Sequence, residues 1–281
     1  MKPAFPGALA VVLLGSALPA AAADMTMPFK APAAYASPLY SWTGCYLGAN
    51  VGASSMHSTG SVTVTPLVTP FQSIGGALPL SGTNTSSVMG GGQSGCNLQV
   101  SNWVFGIEGD IDGKDLSQTR GVVGVPPPAV GLPVGAVSGF IPGDTFTAHS
   151  SWQASVRGRL GFAWDRLMIY GTGGVAFTNI QVGANFIPYS IGGIPFPGSV
   201  SNGSATLAGP TVGGGLEYAF WQNLSLGVEG RYTWYGERTF SGGSLGVVSV
   251  PNSATIVSTP VSQTFKFNTF EATARLNWKF N

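Results

Sequence analysis

The chain has 281 residues, with 12 Lys and Arg against 11 Asp and Glu, so its formal net charge is +1. Charged residues make up 8% of the sequence, about a third of the share found in soluble domains. This near-zero net charge argues against a nucleic-acid-binding protein, because such a protein needs many Lys and Arg contacts with phosphate. Its aromatic content of 11% argues against a disordered chain.

The first 23 residues predict a secretory signal peptide. Lys2 precedes an apolar stretch over 9–18, and three alanines at 21–23 precede Asp24, which is the order found in cleavable signals. The apolar stretch is shorter than the roughly 20 residues that a spanning helix needs. We therefore predict cleavage after residue 23, a Pro/Ala-rich periplasmic linker over 24–41 and a folded domain over 42–281.

Apolar and polar residues alternate with a period of two from Trp42 onward. This alternation is typical of strands that have one apolar and one polar face. Eight such segments are predicted: five clear ones that start at Cys45, Trp103, Trp152, Leu224 and Phe270, and three weaker ones over 88–98, 167–178 and 209–220.

The connections between these segments alternate between short and long. Short ones fall near 99–102, 163–166 and 220–223, and long ones near 55–87, 113–150, 179–208 and 237–264. This rhythm is typical of an up-and-down membrane barrel with short periplasmic turns and long extracellular loops. We therefore predict an all-β fold: an eight-stranded antiparallel transmembrane β-barrel with four long loops. Closure of the barrel would pair every backbone group within hydrocarbon.

The charged residues of the segments fall on the parity opposite to the apolar residues, so they would face the lumen. A barrel of eight strands is just wide enough for side chains to fill it. We therefore expect Arg–carboxylate pairs and no open channel. The predicted lumen charges are Glu108, Asp110, Arg157, Arg159, Glu217, Glu229, Arg231, Glu271 and Arg275.

A secreted soluble β-sandwich is the alternative fold, because its strands are also half-buried and regularly spaced. Sandwich strands would turn their polar face to water and would need no matching of opposite charges there. They would also have no reason to alternate short and long connections. The membrane barrel is therefore the preferred interpretation.

Short motifs along the chain resemble the small outer-membrane immunogenic, porin-like proteins of Gram-negative bacteria. They are WTGCYLG at 42–48, FGIEGD at 105–110, VRGRLG at 156–161, GGGLEYA at 213–219 and ARLNWKF at 274–280. The resemblance implies an outer-membrane barrel in contact with lipid and lipopolysaccharide, with roles as surface antigen and in envelope integrity. Some related proteins are credited with haem binding or limited porin activity, which is the alternative function.

The resemblance also implies insertion by the barrel-assembly machinery through the last strand, with Trp278 and Phe280 as its signal. Family chains usually end on the aromatic residue, whereas Asn281 follows Phe280 here. No cofactor is implied for this chain, and no oligomeric state follows from its sequence.

The two cysteines lie at ends of neighbouring predicted strands. Cys45 is near the start of the first strand and Cys96 near the end of the second, and these ends adjoin in an antiparallel pair. Both residues carry the outward parity. One interpretation is a cross-strand disulfide near the periplasmic rim, in the oxidising compartment that the signal peptide predicts. The other is two separate, lipid-facing small hydrophobic residues.

Catalysis is not expected. The chain has two histidines, His57 and His149, each in or beside a predicted loop. His149 is followed by two serines, and Asp144 is near in sequence, but a serine nucleophile needs a base oriented by a third group. The glycine run at 90–95 has no following helix, so it lacks the geometry of a phosphate-binding loop. Two cysteines and two separated histidines do not predict a metal site.

Overall fold

The structure is a computed structural model that describes residues 40–69, 72–122, 142–191, 194–196, 198–249 and 255–280. The predicted signal peptide, and all of the predicted linker except residues 40 and 41, lie outside these ranges. Within the described residues, no helix is both long enough and apolar enough to cross a bilayer.

The described residues form ten strands: β1 (Gly44–Thr69), β2 (Gln72–Val100), β3 (Trp103–Gly121), β4 (Thr145–Trp164), β5 (Leu167–Phe186), β6 (Tyr189–Ile191), β7 (Ile194–Phe196), β8 (Ser199–Ala219), β9 (Leu224–Ser249) and β10 (Thr255–Phe280). The eight long strands are antiparallel and close into a barrel in the order β1-β10-β9-β8-β5-β4-β3-β2. The short β6 and β7, which come between β5 and β8 in the sequence, form a separate hairpin. The predicted eight-stranded antiparallel barrel is confirmed.

The prediction of four long loops is wrong in extent, because strands occupy most of three of the ranges assigned to them and both ends of the fourth, 113–150. Barrel strands contain 19 to 29 residues, whereas about 9–11 suffice to cross a membrane. The predicted loop over 55–87 is strand up to Thr69 and again from Gln72. The loop over 237–264 is likewise strand up to Ser249 and from Thr255. The barrel wall therefore continues far beyond a membrane span.

The long strands have two sections whose polarity is opposite. In β1, outward Leu47 and Val51 are 58% and 59% exposed, but the outward residues over 55–63 are Ser, His and Thr. The inward side changes in the opposite sense, from Asn50 to the buried Met56 and Val62. We call the part with apolar outward residues the lower section, which ends at Ala53 on β1 and Phe270 on β10. The remainder is the upper section.

Two of the barrel's strand pairs separate at the top of the lower section. Pairing of β2 with β3 ends at Met89 and Lys114, and pairing of β8 with β9 ends at Thr211 and Thr233. Among the described residues, the upper section therefore consists of two four-stranded sheets, β9-β10-β1-β2 and β3-β4-β5-β8. Their inward faces share one apolar core that includes Met56, Leu116, Phe146, Ile180, Leu207, Phe265 and Phe267.

Strand irregularities mark the boundary between the sections. The register of β4 against β5 shifts between His149 and Gln153, so Ser150 and Gln153 both face inward although their parity differs. The register of β10 against β9 shifts beside Gly236, whose φ is +71°. A positive φ is accessible to glycine without steric cost. At these bulges the parity of the inward-facing residues changes, and they lie where the interior of the barrel changes from charged to apolar.

Candidate functional site

The lumen of the lower section contains all nine predicted charged side chains. Each is buried, with at most 8% of its surface exposed. Three arginines and two acids come from β4, β8 and β9, while β3 and β10 provide the remaining side chains. Because charges in a low-dielectric interior must be paired, their mutual geometry decides whether the lumen is stable.

Arg157 lies at the centre of the charged cluster. Its Nη2 atom is 2.7 Å from Glu108 Oε1 and 3.0 Å from Asp110 Oδ2, and its Nη1 donates to Glu229. Arg275 bridges the same acids, with Nη2 2.5 Å from Glu108 Oε2 and Nη1 bonded to Glu229. The two arginines therefore share Glu108 and Glu229, and Arg157 alone of the two also binds Asp110.

A layer above is organised by Arg231. Its guanidinium nitrogens lie 2.7 Å from Asp110 Oδ1, 3.2 Å from Asp112 Oδ2 and 2.6 Å from Glu271 Oε2. Lys114 adds a second cation, with Nζ 2.8 Å from Gln153 Oε1 and 3.9 Å from Glu271 Oε1. This layer adjoins the apolar core of the upper section.

The lowest layer pairs Arg159 with Glu217, whose other oxygen accepts from Ser225 Oγ at 2.5 Å and from Asn277 Nδ2 at 2.9 Å. The Arg159 guanidinium also lies over the ring of Tyr170, 3.7 Å from its centroid. Stacking on an aromatic face is favourable for a desolvated guanidinium.

Several lumen residues were not predicted from the sequence. Asp112 and Lys114 were omitted although they share the parity of Glu108 and Asp110 on β3, so continuing the alternation by four residues would have found them. Tyr46 shares the inward parity of Asn50, but it was not named because the predicted lumen set contained only charged side chains. Its hydroxyl donates to Glu108.

The segment before β1 closes the lower end of the lumen. The backbone N–H of Tyr40 donates to Asp165 Oδ1 at 2.8 Å, and Trp42 Nε1 donates to Asp165 O at 3.0 Å. Both aromatic side chains are buried, at 4% and 2% exposure. Burial raises the pKa of the Tyr40 phenol to about 12, and the negative charge of Glu217 contributes to the rise.

Little free volume remains in the lumen between the segment before β1 at its lower end and the apolar core at its upper end. The cavity among Asp110, Arg157 and Arg231 measures about 10 Å³, which is room for about one water molecule. Above it, the apolar core fills the interior of the upper section. The described residues thus form a lumen that is packed along its length.

Cys45 and Cys96 lie directly opposite each other on β1 and β2 and form a disulfide. Both side chains face outward near the periplasmic end of the barrel. Trp278 and Phe280, the predicted assembly signal, are outward residues of β10, 50% and 49% exposed, and pair with Leu47 and Cys45. Their role in assembly stays a prediction.

The geometry around His149 does not assemble a serine–histidine site. The His149 side chain faces outward, and its Nε2 is 3.1 Å from Asp115 Oδ1. Ser150 faces inward, is 1% exposed and bonds to Thr178, so the two side chains are on opposite sides of the sheet. Asp144 accepts from the backbone N–H of Ile187. Within the described ranges, no three His, Cys, Asp or Glu side chains are grouped to hold a metal ion.

Comparisons with known proteins agree with this architecture. The model of the family described as outer membrane protein beta-barrel domain matches residues 8–280. The 31 kDa outer-membrane immunogenic protein of Brucella melitensis biotype 1 is 30% identical over 251 residues, covering 85% of this chain and 89% of that protein. The 22 kDa outer membrane protein of Rhizobium leguminosarum bv. viciae is 28% identical over 154 residues, covering 53% and 54%.

Among solved structures, Neisserial surface protein A has a TM-score of 0.34 and 13% identity, covering 85% of this chain and 98% of that one. This likeness is too distant to add to the fold assignment, which rests on the strand pairing and the family match.

Proposed function

Because the chain belongs to the outer membrane protein β-barrel family and is a surface protein of the outer membrane, we propose that it acts there as a closed structural anchor. In this role the lower section holds the protein in the bilayer, and the upper section presents a surface outside it. The protein then contributes to the integrity of the envelope and to interactions at the cell surface, and its lumen does not let solutes pass.

The packed lumen is the observation that carries the proposal. Five cations and six carboxylates occupy it, all of them buried: Arg157, Arg159, Arg231, Arg275 and Lys114 with Glu108, Asp110, Asp112, Glu217, Glu229 and Glu271. Multiple ion pairs with shared partners resist rearrangement, because removal of one member leaves an uncompensated buried charge. A hydrated ion therefore has no path that avoids breaking several of these pairs.

The upper section supports the surface role. The part of β1 from Ser55 to Thr69 would rise about 35–40 Å, at roughly 3.3 Å per residue and a strand tilt near 40°. Up to Thr63 its outward side chains are polar, and its inward Met56 and Val62 belong to an apolar core, which is the pattern of a water-exposed domain. A stable sheet pair of this height would present the outermost residues beyond the lipid headgroups.

Conductance in planar bilayers tests the closed lumen. Purified wild-type protein is expected to give no steady current. A double variant, Arg157→Ser with Glu229→Ser, removes both members of one pair and should give openings if the charged pairs are the barrier. Steady wild-type current would contradict the closed anchor and would favour the alternative of a small diffusion pore.

Deletion of the gene tests the envelope role. Cells without the protein should become more sensitive to detergents and to large antibiotics, and wild-type protein supplied in trans should restore resistance. Supplying the double variant Arg157→Ser with Glu229→Ser separates the contribution of the upper section's surface from that of the closed lumen, because this variant keeps the surface and opens the lumen. Unchanged sensitivity of the deletion strain would contradict a structural role.

A further inference from the structure

The outer wall of the upper section contains a polar cleft just above the apolar wall of the lower section. It has a volume of about 550 Å³ and lies on the outward side of β4, β5 and β8. Strand pairing arranges its outward residues in two rungs of three: Thr147, Gly183 and Asn202 in one, and His149, Gln181 and Ser204 in the other.

The two rungs form a shallow cradle because Gly183, at the centre of the upper rung, has no side chain. A Cβ atom placed there would lie 2.6 Å from Thr147 Oγ1 and 3.1 Å from Asn202 Oδ1, so these two polar atoms form the flanks of the depression. With strands about 4.8 Å apart and alternate residues about 7 Å apart, the cradle measures about 10 by 7 Å. These are the dimensions of one or two pyranose rings.

The chemistry of the cleft is that of a neutral, polyhydroxylated ligand. Gln181 and Asn202 each offer an amide donor and an amide acceptor, and both side chains are exposed without a hydrogen-bond partner among the described residues. Thr147 and Ser204 add hydroxyls. The lining contains no Lys or Arg, and a carboxylate oxygen of Asp115 lies 3.1 Å from His149 Nε2. Phosphate and sulfate are therefore unfavourable here.

The position of the cleft indicates the source of the ligand. Below the cleft comes one rung of outward Asn179 and Thr206. The next rung is outward Phe177 and Ala208, which pair with each other on β5 and β8 as part of the lipid-facing wall. A glycolipid of the outer leaflet would place acyl chains against that wall and sugars at the height of the cleft. We propose that the cleft binds a core saccharide of lipopolysaccharide and so holds one glycolipid molecule at this side of the barrel.

Saturation-transfer NMR on the full chain in detergent micelles tests the proposal. The probe is a neutral hexose oligosaccharide from the lipopolysaccharide core, free of lipid, phosphate and acidic sugar. Wild-type protein should show transfer to the sugar protons, and the double variant Gln181→Ala with Asn202→Ala should bind about tenfold more weakly, since two hydrogen-bonding amides are lost. A second variant, Gly183→Leu, should also abolish binding by filling the cradle.

The matched control is Thr239→Ala with Thr264→Ala on the opposite sheet, where the two hydroxyls are 2.9 Å apart and face outward. It should bind as wild type does, and heat-dependent gel mobility should be the same for every variant. Absence of transfer in wild type, or equal transfer in the cleft and control variants, would overturn the proposal. Binding that requires the phosphates would overturn it as well.

Discussion

At the scale of single residues, the lumen is a network and not a set of separate pairs. Arg157 contacts Glu108, Asp110 and Glu229, and two of these acids also contact Arg275. Asp110 contacts Arg231 as well. Each of these three carboxylates thus depends on two cations, so the effect of a substitution at Arg157 cannot be confined to one pair. Such shared charges couple strands that are distant in sequence.

Arg157→Met is expected to destabilise the barrel by about 3–5 kcal/mol, because it leaves three buried carboxylates with one partner fewer. Urea unfolding in detergent micelles measures the change in free energy. Arg238→Met is the matched control, since Arg238 is an exposed residue of the upper section and its loss should cost at most about 0.5 kcal/mol. Equal effects of the two substitutions would contradict the network.

At the scale of strands, glycines on the two faces of the barrel have different roles. A Cβ atom on inward Gly52 would lie 2.0 Å from the backbone oxygen of Ala272 on β10, whereas one on outward Gly230 would meet nothing within 4 Å. Close approach of backbones therefore requires glycine at Gly52 and does not require it at Gly230.

Gly52→Ala should therefore destabilise the protein by about 1–3 kcal/mol or more, as overpacking does. Gly230→Ala is the same change on the opposite face and should be neutral or slightly stabilising. Thermal loss of the folded band on unboiled gels compares the two variants. If Gly52→Ala melted at the wild-type temperature, the close contact of β1 and β10 would not be a constraint on folding.

The disulfide joins β1 to β2 at the lower end of the wall. Replacing both Cys45 and Cys96 by Ser should lower the free energy of unfolding by about 2–4 kcal/mol, since the bond restricts the unfolded chain. Urea unfolding with and without a reductant measures this change. The reductant should lower the free energy of unfolding of the wild type and leave that of the double variant unchanged, so the double variant is the control. An effect of the reductant on the double variant would show a cause other than this bond.

At the scale of the whole molecule, much of the barrel could be predicted from sequence because the lower section keeps one polarity rule along every strand. The nine lumen charges followed from parity alone. The upper section was missed because its rule is reversed: inward Met56 and Val62 and outward Thr63 have the polarity of a soluble sandwich. Gly, Ser and Thr on both faces further weaken the alternation there.

Bulges also concealed the upper strands, since a parity carried back from Gln153 across the shift to His149 assigns the earlier residues of β4 to the wrong face. The soluble sandwich, considered as the alternative fold, describes the upper section and not the lower one. The chain combines both kinds of wall in continuous strands, so no single periodicity rule applies over its full length.

The reversal of polarity predicts opposite tolerance to charge at two outward positions of one strand. Val51→Lys places a cation against lipid between the midplane and the upper interface, and should cost about 1–3 kcal/mol, since the cost of lysine in barrels falls from the midplane toward the interface. Thr63→Lys, on the same outward face but in the upper section, should change stability by at most about 0.5 kcal/mol. Refolding into lipid vesicles, with urea titration of each variant, measures both.

These two variants carry the same new side chain on the same strand, so propensity and charge are matched and the surrounding medium is the difference. Detergent gives a further control, because micelles adapt to a polar residue more readily than a bilayer does and should reduce the cost of Val51→Lys. Equal costs at both positions in vesicles would mean that the membrane boundary does not lie between positions 51 and 63.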